Sequence, residues 1–391
     1  MLIDRRLFCV GGVAALGSVA WAAPKESGYV LVAATDRARV LRAAQSYVKD
    51  TPRTITSFPS EKSPGGVHDF FSQSDYFWPD PANPDGPYRE RDGQSNPNNF
   101  VGHRKAMIAL SVQMPALTAA WLLTKDRRYG ERAVEHLRAW FVDPATKMNP
   151  NLEFAQGVTH GVTGRSYGII DTLHLVEVAR AATFLRGKLL GKEDDAAVTD
   201  WFHSYLEWLQ TSKKGMTERD AANNHATCWT LQAAEFARLT GDEDVRDDLR
   251  VRYKSVLLPN QMGADGSFPL ELKRTKPYSY SIFNLDVMAG VCQSLSRVGD
   301  DLFNYTLSDG RGMCKGAAFL FPFLEDKTRW PFAKDVEHFD ALPVRAPSLL
   351  FCGLACKREE YIALWKRLDP DPTDAEIIRN FPIRQPLLWI S

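Results

Sequence analysis

This 391-residue chain has no excess of charge of either sign: 48 Lys and Arg are matched by 48 Asp and Glu. The missing basic excess argues against a nucleic-acid partner, whose affinity would come largely from phosphate neutralisation. It does not exclude an acidic substrate, because a local cluster of Arg and Lys in a cleft disappears in the total. Metal motifs are also missing. There is no His-Glu-x-x-His and no Cys-x-x-Cys, and Cys352 and Cys356 have no histidine nearby, so no zinc site is expected. Asp369, Asp371 and Asp374 superficially suggest a calcium loop but lack its glycine and terminal glutamate. Neither a glycine-rich phosphate loop nor a nucleophile elbow occurs, and the reading needs no cofactor. No low-complexity linker divides residues 23–391, which read as one domain.

Cysteine is scarce, and its placement bears on the compartment. Residues 1–22 read as an export signal of the twin-arginine type. Arg5-Arg6-Leu7-Phe8 precedes an apolar run, and Ala20-Trp21-Ala22 fits a small-x-small cleavage site. The run is too short to span a bilayer stably, so a periplasmic or secreted protein is expected, with a retained anchor as the alternative. Removal of the signal leaves Cys228, Cys292, Cys314, Cys352 and Cys356. An odd number cannot all pair within one chain, and folding before export favours buried free thiols.

What remains is helix. Hydrophobic residues make up 44% and charged residues 25%, ordinary values for a globular enzyme. Apolar positions recur with a helical period over 103–124, 127–141, 169–185, 195–209, 222–239, 242–258, 282–298 and 311–323. Consecutive helices on short links predict antiparallel pairs, stacked or closed into a ring, and hence an all-α fold. Two segments break the pattern. Residues 77–87, starting Phe77-Trp78-Pro79-Asp80-Pro81, are too rich in Pro and Gly for a regular element and read as a lid or binding loop. Residues 263–275 read as a turn at Asp265-Gly266 and a short extended segment. The closing residues 381–389 read as an extended, packed tail.

The chemistry concentrates in Asn224-His225 and, farther on, Arg274 and Tyr280. A uronate polymer can be cut by removing the proton beside its carboxylate and expelling the neighbouring glycosidic oxygen. This needs stabilisation of charge on the carboxylate, a base and an acid. Asn224 and Arg274 suit the first task, Arg274 as a planar fork, while His225 and Tyr280 suit the other two. Asn224 and His225 fall at a predicted helix start with Asp220 as a candidate cap, a place that favours anions and a neutral histidine. A tyrosine of ordinary pKa, about 10, costs roughly 4 kcal/mol to ionise at pH 7, which Arg274 or Lys273 would reduce. Taken singly, Asn224 could be a helix cap, Arg274 a surface charge and Tyr280 a buried ring.

Together, Asn224-His225, Leu270-Glu271-Leu272-Lys273-Arg274 and Tyr280 ahead of Phe283 and Leu285 resemble the alginate lyase family. Gly164-Arg165-Ser166-Tyr167-Gly168-Ile169-Ile170-Asp171-Thr172 and the Trp-Pro-Asp-Pro loop add to the likeness, which runs from about residue 75 to 295. The resemblance implies an α/α toroid, an incomplete α/α barrel with short hairpin segments and a lid loop. It also implies β-elimination on a β-1,4-linked polyuronate, polymannuronate first and glucuronan next. Tyrosine would be the acid, and also the base in syn elimination. The interval after Arg274 is about one residue short of the family's, which makes Tyr278 a rival to Tyr280. Arg165, Tyr76, Trp78, Tyr278 and Lys273 are the candidate substrate-binding residues. Tyr76 and Trp78 would stack on sugars or simply anchor the loop. The alternatives are a glycoside hydrolase using Asp171 and Glu271, and a non-catalytic polysaccharide-binding protein.

Overall fold

Helix α2 (Gly102–Thr124) sets the logic of the fold. It is long and apolar enough to cross a membrane, yet 67% of its most apolar window is buried inside the protein. A helix that is apolar on most sides belongs in a core. In the computed structural model, which describes residues 28–390, α2 packs between α1 (Gly28–Tyr47), α3 (Arg127–Leu137) and α4 (Leu175–Leu185). The expected export signal lies outside the described residues.

An inner row continues from α4 to α7 (Asn224–Thr240), α11 (Pro277–Leu295) and α13 (Pro347–Ala355), each touching the next. Helix α11 buries every residue except Gln293. The outer helices bury one stripe. Helix α5 (Lys192–Thr211), packed on α7, turns in Val198, Trp201, Phe202, Tyr205, Leu206 and Leu209, a spacing of three and four. Helix α8 (Glu243–Arg252) also lies on α7, while α12 (Met313–Glu325) and α14 (Glu359–Arg367) lie on α13. Shorter pieces are α6 (Lys213–Arg219), α9 (Leu258–Gln261), α10 (Pro269–Leu272) and α15 (Ala375–Arg379). The result is the α/α toroid, with two small sheets. Strands β1 (Phe71–Gln73) and β4 (Phe154–Gly157) pair in parallel, and β2 (Phe77–Trp78) with β3 (Arg89–Glu90) form a hairpin. The proline-rich loop is the connection of that hairpin.

Several boundaries differ from the sequence reading, each for a local reason. The stretch predicted extended at 268–272 is the helical turn α10, since Pro269 at its first position already has a helical φ. Before it, Gly266 has a φ of +95°, and a Cβ there would lie 2.6 Å from the carbonyl of Lys315. Helix α7 begins at Asn224 and is capped by Asn223, not Asp220, which pairs with Arg219 and Arg252. Helix α11 starts at Pro277, five residues before the predicted 282, so both Tyr278 and Tyr280 are helical. Two positions apart on a helix point about 200° apart, so only one of these tyrosines can face a given side. Helix α13 was missed because its nine residues are apolar all round and have no period. The thiols were only partly read. Cys314 and Cys356 form a disulfide joining α12 to the end of α13, while Cys228, Cys292 and Cys352 are free and buried.

The expected tail is fully packed. Buried Glu177 on α4 accepts hydrogen bonds from the backbone of Arg384 and Gln385 and from the Trp389 indole, at 2.8–3.1 Å. Arg180 pairs with buried Glu235 at 2.6 Å and lies 3.9 Å from the Trp389 ring centroid.

Asp286 on α11 is buried and accepts from the Ser348 backbone at the start of α13, at 3.1 Å. Burial pushes its carboxyl up to about 7. An unfolded Asp ionises near 3.9, so between about pH 4 and 7 the unfolded chain has lost a proton that the folded chain keeps. This group therefore lowers stability as pH rises through that window, by roughly 4 kcal/mol in all. Asp286→Asn should lose less stability than the wild type between pH 4 and 8 in urea titrations. Parallel curves for the two proteins would refute the assignment.

Candidate active site

The inner ends of α7, α10 and α11 meet in a cleft of about 500 Å3. Asn224 and His225 enter it from the first turn of α7. Buried Glu271 on α10 grips that turn, accepting from Asn224 N at 2.8 Å and from its Nδ2 at 2.7 Å. Because the amide nitrogen faces the carboxylate, Asn224 keeps its Oδ1 and a second N–H for a ligand.

His225 Nδ1 lies 2.5 Å from Oε1 of Glu218 at the end of α6, and the Tyr167 ring packs 4.9 Å from the imidazole, centroid to centroid. Sequence reasoning missed both partners. Glu218 comes from a separate short helix, and Tyr167, though quoted within the family-like run, has no spacing that ties it to His225.

Arg274 is one helical turn beyond Glu271. Asp92, just after β3, accepts from its Nε at 3.2 Å and its Nη2 at 2.7 Å. The side edge of the guanidinium is thus occupied, and a substrate carboxylate would meet Nη1 rather than the open fork the sequence suggested. The guanidinium lies 4.4 Å from the Tyr280 ring centroid, and Nη2 is 3.4 Å from the Tyr280 hydroxyl. That hydroxyl is 2.9 Å from the hydroxyl of Tyr76, which in turn donates to Glu376 at 3.4 Å. Burial pushes Tyr280 up to about 12, although the positive charge of Arg274 and the Tyr76 hydrogen bond pull it down. Arg274 does lower this phenol, as expected, but loss of water outweighs it and the net shift is upward. Burial also raises Tyr76, and the Glu376 carboxylate there adds to the rise. Glu376 itself is held down at about 2, its burial outweighed by Arg379 and Lys276.

The floor of the cleft is a charge lattice. Asp75 bridges Arg104 and Arg379, the latter at 2.6 Å, and Arg104 also pairs with Asp171 at 3.0 Å. Arg165 stands apart. Among the described residues it forms no ion pair; it donates weakly to Gln156 at 3.4 Å and sits between the rings of Phe77 (4.6 Å) and Tyr167 (5.0 Å).

The structure thus brings together Asn224, His225, Arg274, Tyr280, Arg165 and Tyr76. It does not bring in Tyr278, whose hydroxyl donates to the Phe323 carbonyl at 2.8 Å on the opposite side of α11. Trp78 anchors its hairpin instead of lining the cleft, donating to Gln94 O at 2.9 Å with Arg91 over its ring. Lys273 points to solvent outside the cleft lining. Asp171 and Glu271, the pair suggested for hydrolysis, are both buried behind the cleft. Asp171 is engaged by Arg104 and Ser72, and Glu271 by Asn224. Among the described residues no group of three or more His, Cys, Asp or Glu is placed to hold a metal ion.

Comparison with known proteins agrees with this geometry. The family model described as alginate lyase matches residues 54–330. An alginate lyase from Bacteroides ovatus is similar with a TM-score of 0.78 and 30% identity, over 92% of this chain and 93% of that one. Alginate lyase A1-III from Sphingomonas species A1 is similar with a TM-score of 0.52 and 14% identity, over 85% and 87% of the two chains. A histidine-to-alanine variant of A1-III complexed with tetrasaccharide gives a TM-score of 0.57 at 14% identity, over 90% and 93%. At 14% identity the A1-III matches speak for the fold alone. No curated protein sequence matches the chain. The family match runs through α7, α10 and α11, the three elements that build the cleft, and the chain belongs to the alginate lyase family of polysaccharide lyases.

Proposed function

We propose that this lyase cleaves alginate within its polymannuronate stretches by β-elimination. The observation that carries the reading is the meeting, in one cleft, of a buried phenol, a histidine, an arginine and an amide. The carboxylate of the reacting sugar would sit between Asn224 and the Nη1 side of Arg274, which together absorb the charge that grows as the C5 proton leaves. A phenol at about 12 costs roughly 7 kcal/mol to ionise at pH 7, so Tyr280 is assigned the acid role. His225, through Nε2, is assigned the base role. The C5–H electrons form the C4–C5 double bond, the C4–O bond breaks, and Tyr280 supplies the proton to the departing oxygen. The product carries an unsaturated uronate at its new non-reducing end.

Arg165 extends the site. As a half-buried cation without a carboxylate partner among the described residues, it can receive the carboxylate of a neighbouring sugar, flanked by Phe77 and Tyr167. Mannuronate and glucuronate share C4 and C5 stereochemistry and differ only at C2, so glucuronan is the polymer against which specificity must be measured. Hydrolysis is not proposed, because both of its candidate carboxylates are spent on structural partners. We also infer a periplasmic or secreted location after export by a twin-arginine-type signal. The Cys314–Cys356 disulfide suits such an oxidising compartment. A non-catalytic binding role, a nucleic-acid partner and membrane insertion are not proposed: the cleft carries an acid and a base, the net charge is zero, and α2 is a core helix.

Four outcomes test this reading. Purified protein should raise ultraviolet absorbance on polymannuronate more than on polyguluronate, glucuronan or hyaluronan. Tyr280→Phe and His225→Ala should each lower kcat by about 10²- to 10⁴-fold. New reducing ends without absorbance would instead mean hydrolysis. From pH 7 to 9, kcat/KM should not climb about tenfold per unit, because Tyr280 stays protonated and acts as the acid; that slope would identify a phenolate base. Arg165→Ala should raise KM about 10- to 100-fold with kcat nearly kept, as expected for a lost charge-assisted contact. A fall confined to kcat would place Arg165 at the reacting sugar instead.

A further inference from the structure

Glu218 is buried without the compensation that the other buried carboxylates around the cleft receive. Its side chain is 0% exposed, Oε1 lies 2.5 Å from His225 Nδ1, and Oε2 has no hydrogen-bond partner. Among the described residues no lysine or arginine forms an ion pair with it. By contrast, Asp171 is met by Arg104 and Ser72, and Glu271 accepts from the backbone N and the Nδ2 of Asn224. Burying a carboxylate with an empty oxygen is costly, and such a group persists where another property of the fold depends on it.

The chemistry of the contact indicates what that property is. An ionised carboxylate only accepts, so a neutral His225 imidazole facing it carries its proton on Nδ1 and its lone pair on Nε2. Neutral imidazole otherwise divides between two tautomers, and the Nε2–H form would offer the cleft a donor that cannot take a proton. We propose that Glu218 is a positioning residue that locks His225 in its Nδ1–H tautomer and so presents Nε2 as a proton acceptor. Asn223 and Tyr167 add to the placement: the Asn223 side chain accepts from the His225 backbone at 3.4 Å, and the Tyr167 ring limits rotation of the imidazole. The kinetic part of the proposal rests on His225 acting as base, whereas the tautomer does not.

Nitrogen-15 chemical shifts of His225 in the full-length mature protein read the tautomer directly, with or without substrate. The wild type should show a protonated Nδ1 and an unprotonated Nε2. Glu218→Gln, nearly the same size but able to donate as well as accept, should show a mixture, with kcat lowered by about 10²-fold or more and KM little changed. Glu218→Asp, shorter but still a carboxylate, should keep the tautomer and retain more activity than Glu218→Gln. A merely space-filling role would reverse that ranking. An Nε2–H tautomer in the wild type, or unchanged kcat in a folded Glu218→Gln, overturns the proposal. If the wild type forms no unsaturated product on any polymer, the function reading fails, and the nitrogen shifts still decide the tautomer.

Discussion

The clasp between Glu271 and the first turn of α7 is the contact on which the cleft depends. Two hydrogen bonds from one carboxylate, at 2.8 and 2.7 Å, fix the backbone and the side chain of Asn224 together. Arg274 follows Glu271 by one turn, and α11 begins three residues later, so the same clasp sets where Arg274 and Tyr280 stand relative to Asn224 and His225. The clasp needs α10 to be a helical turn at the right depth. Pro269 starts that turn, and Gly266 lets the chain pass against α12 just before it. Residues distant in sequence are thus tied by a short and nearly rigid path.

Burial then decides the electrostatics, and it acts in opposite directions on neighbouring groups. Tyr280 stays a phenol because desolvation outweighs a guanidinium over its ring, while Glu376, two hydrogen bonds away through Tyr76, stays ionised because two cations outweigh its own burial. Loss of water alone disfavours charge, and a charge survives only where partners are close and correctly aimed. The cleft is therefore more than a positive groove for an acidic polymer. Arg104, Arg274 and Arg379 are tied to Asp75, Asp92 or Asp171, which leaves Arg165 as the cation most available to a uronate.

Much of this was legible in the residues. The helical periods over 103–124 and 195–209 match α2 and α5 closely, because long helices with a continuous apolar stripe announce themselves. Asn224, His225, Arg274 and Tyr280 stood out by residue type and by their likeness to a known family. Helix α13, wholly apolar, and α15, five residues long, offer no repeat to detect, and α1 went unread because its buried stripe includes Asp36 and Arg39. The disulfide was missed for a related reason: Cys314 and Cys356 are 42 residues apart, and only the packing of α12 on α13 makes them neighbours.

The residues by themselves determined the helical class, the family and the set of groups able to move a proton beside a carboxylate, because these follow from periodicity and functional-group chemistry. Tertiary structure decided that Tyr280 lines the cleft and Tyr278 does not, through a helix start five residues earlier than the pattern suggested and the angle between positions two apart. It also decided that Asp92 occupies one edge of Arg274, that the Trp78 indole bonds within its own hairpin, and that Glu218 meets His225. These are contacts between segments distant in sequence or across a helix break. No local pattern encodes them, because they exist only once burial has brought the partners together.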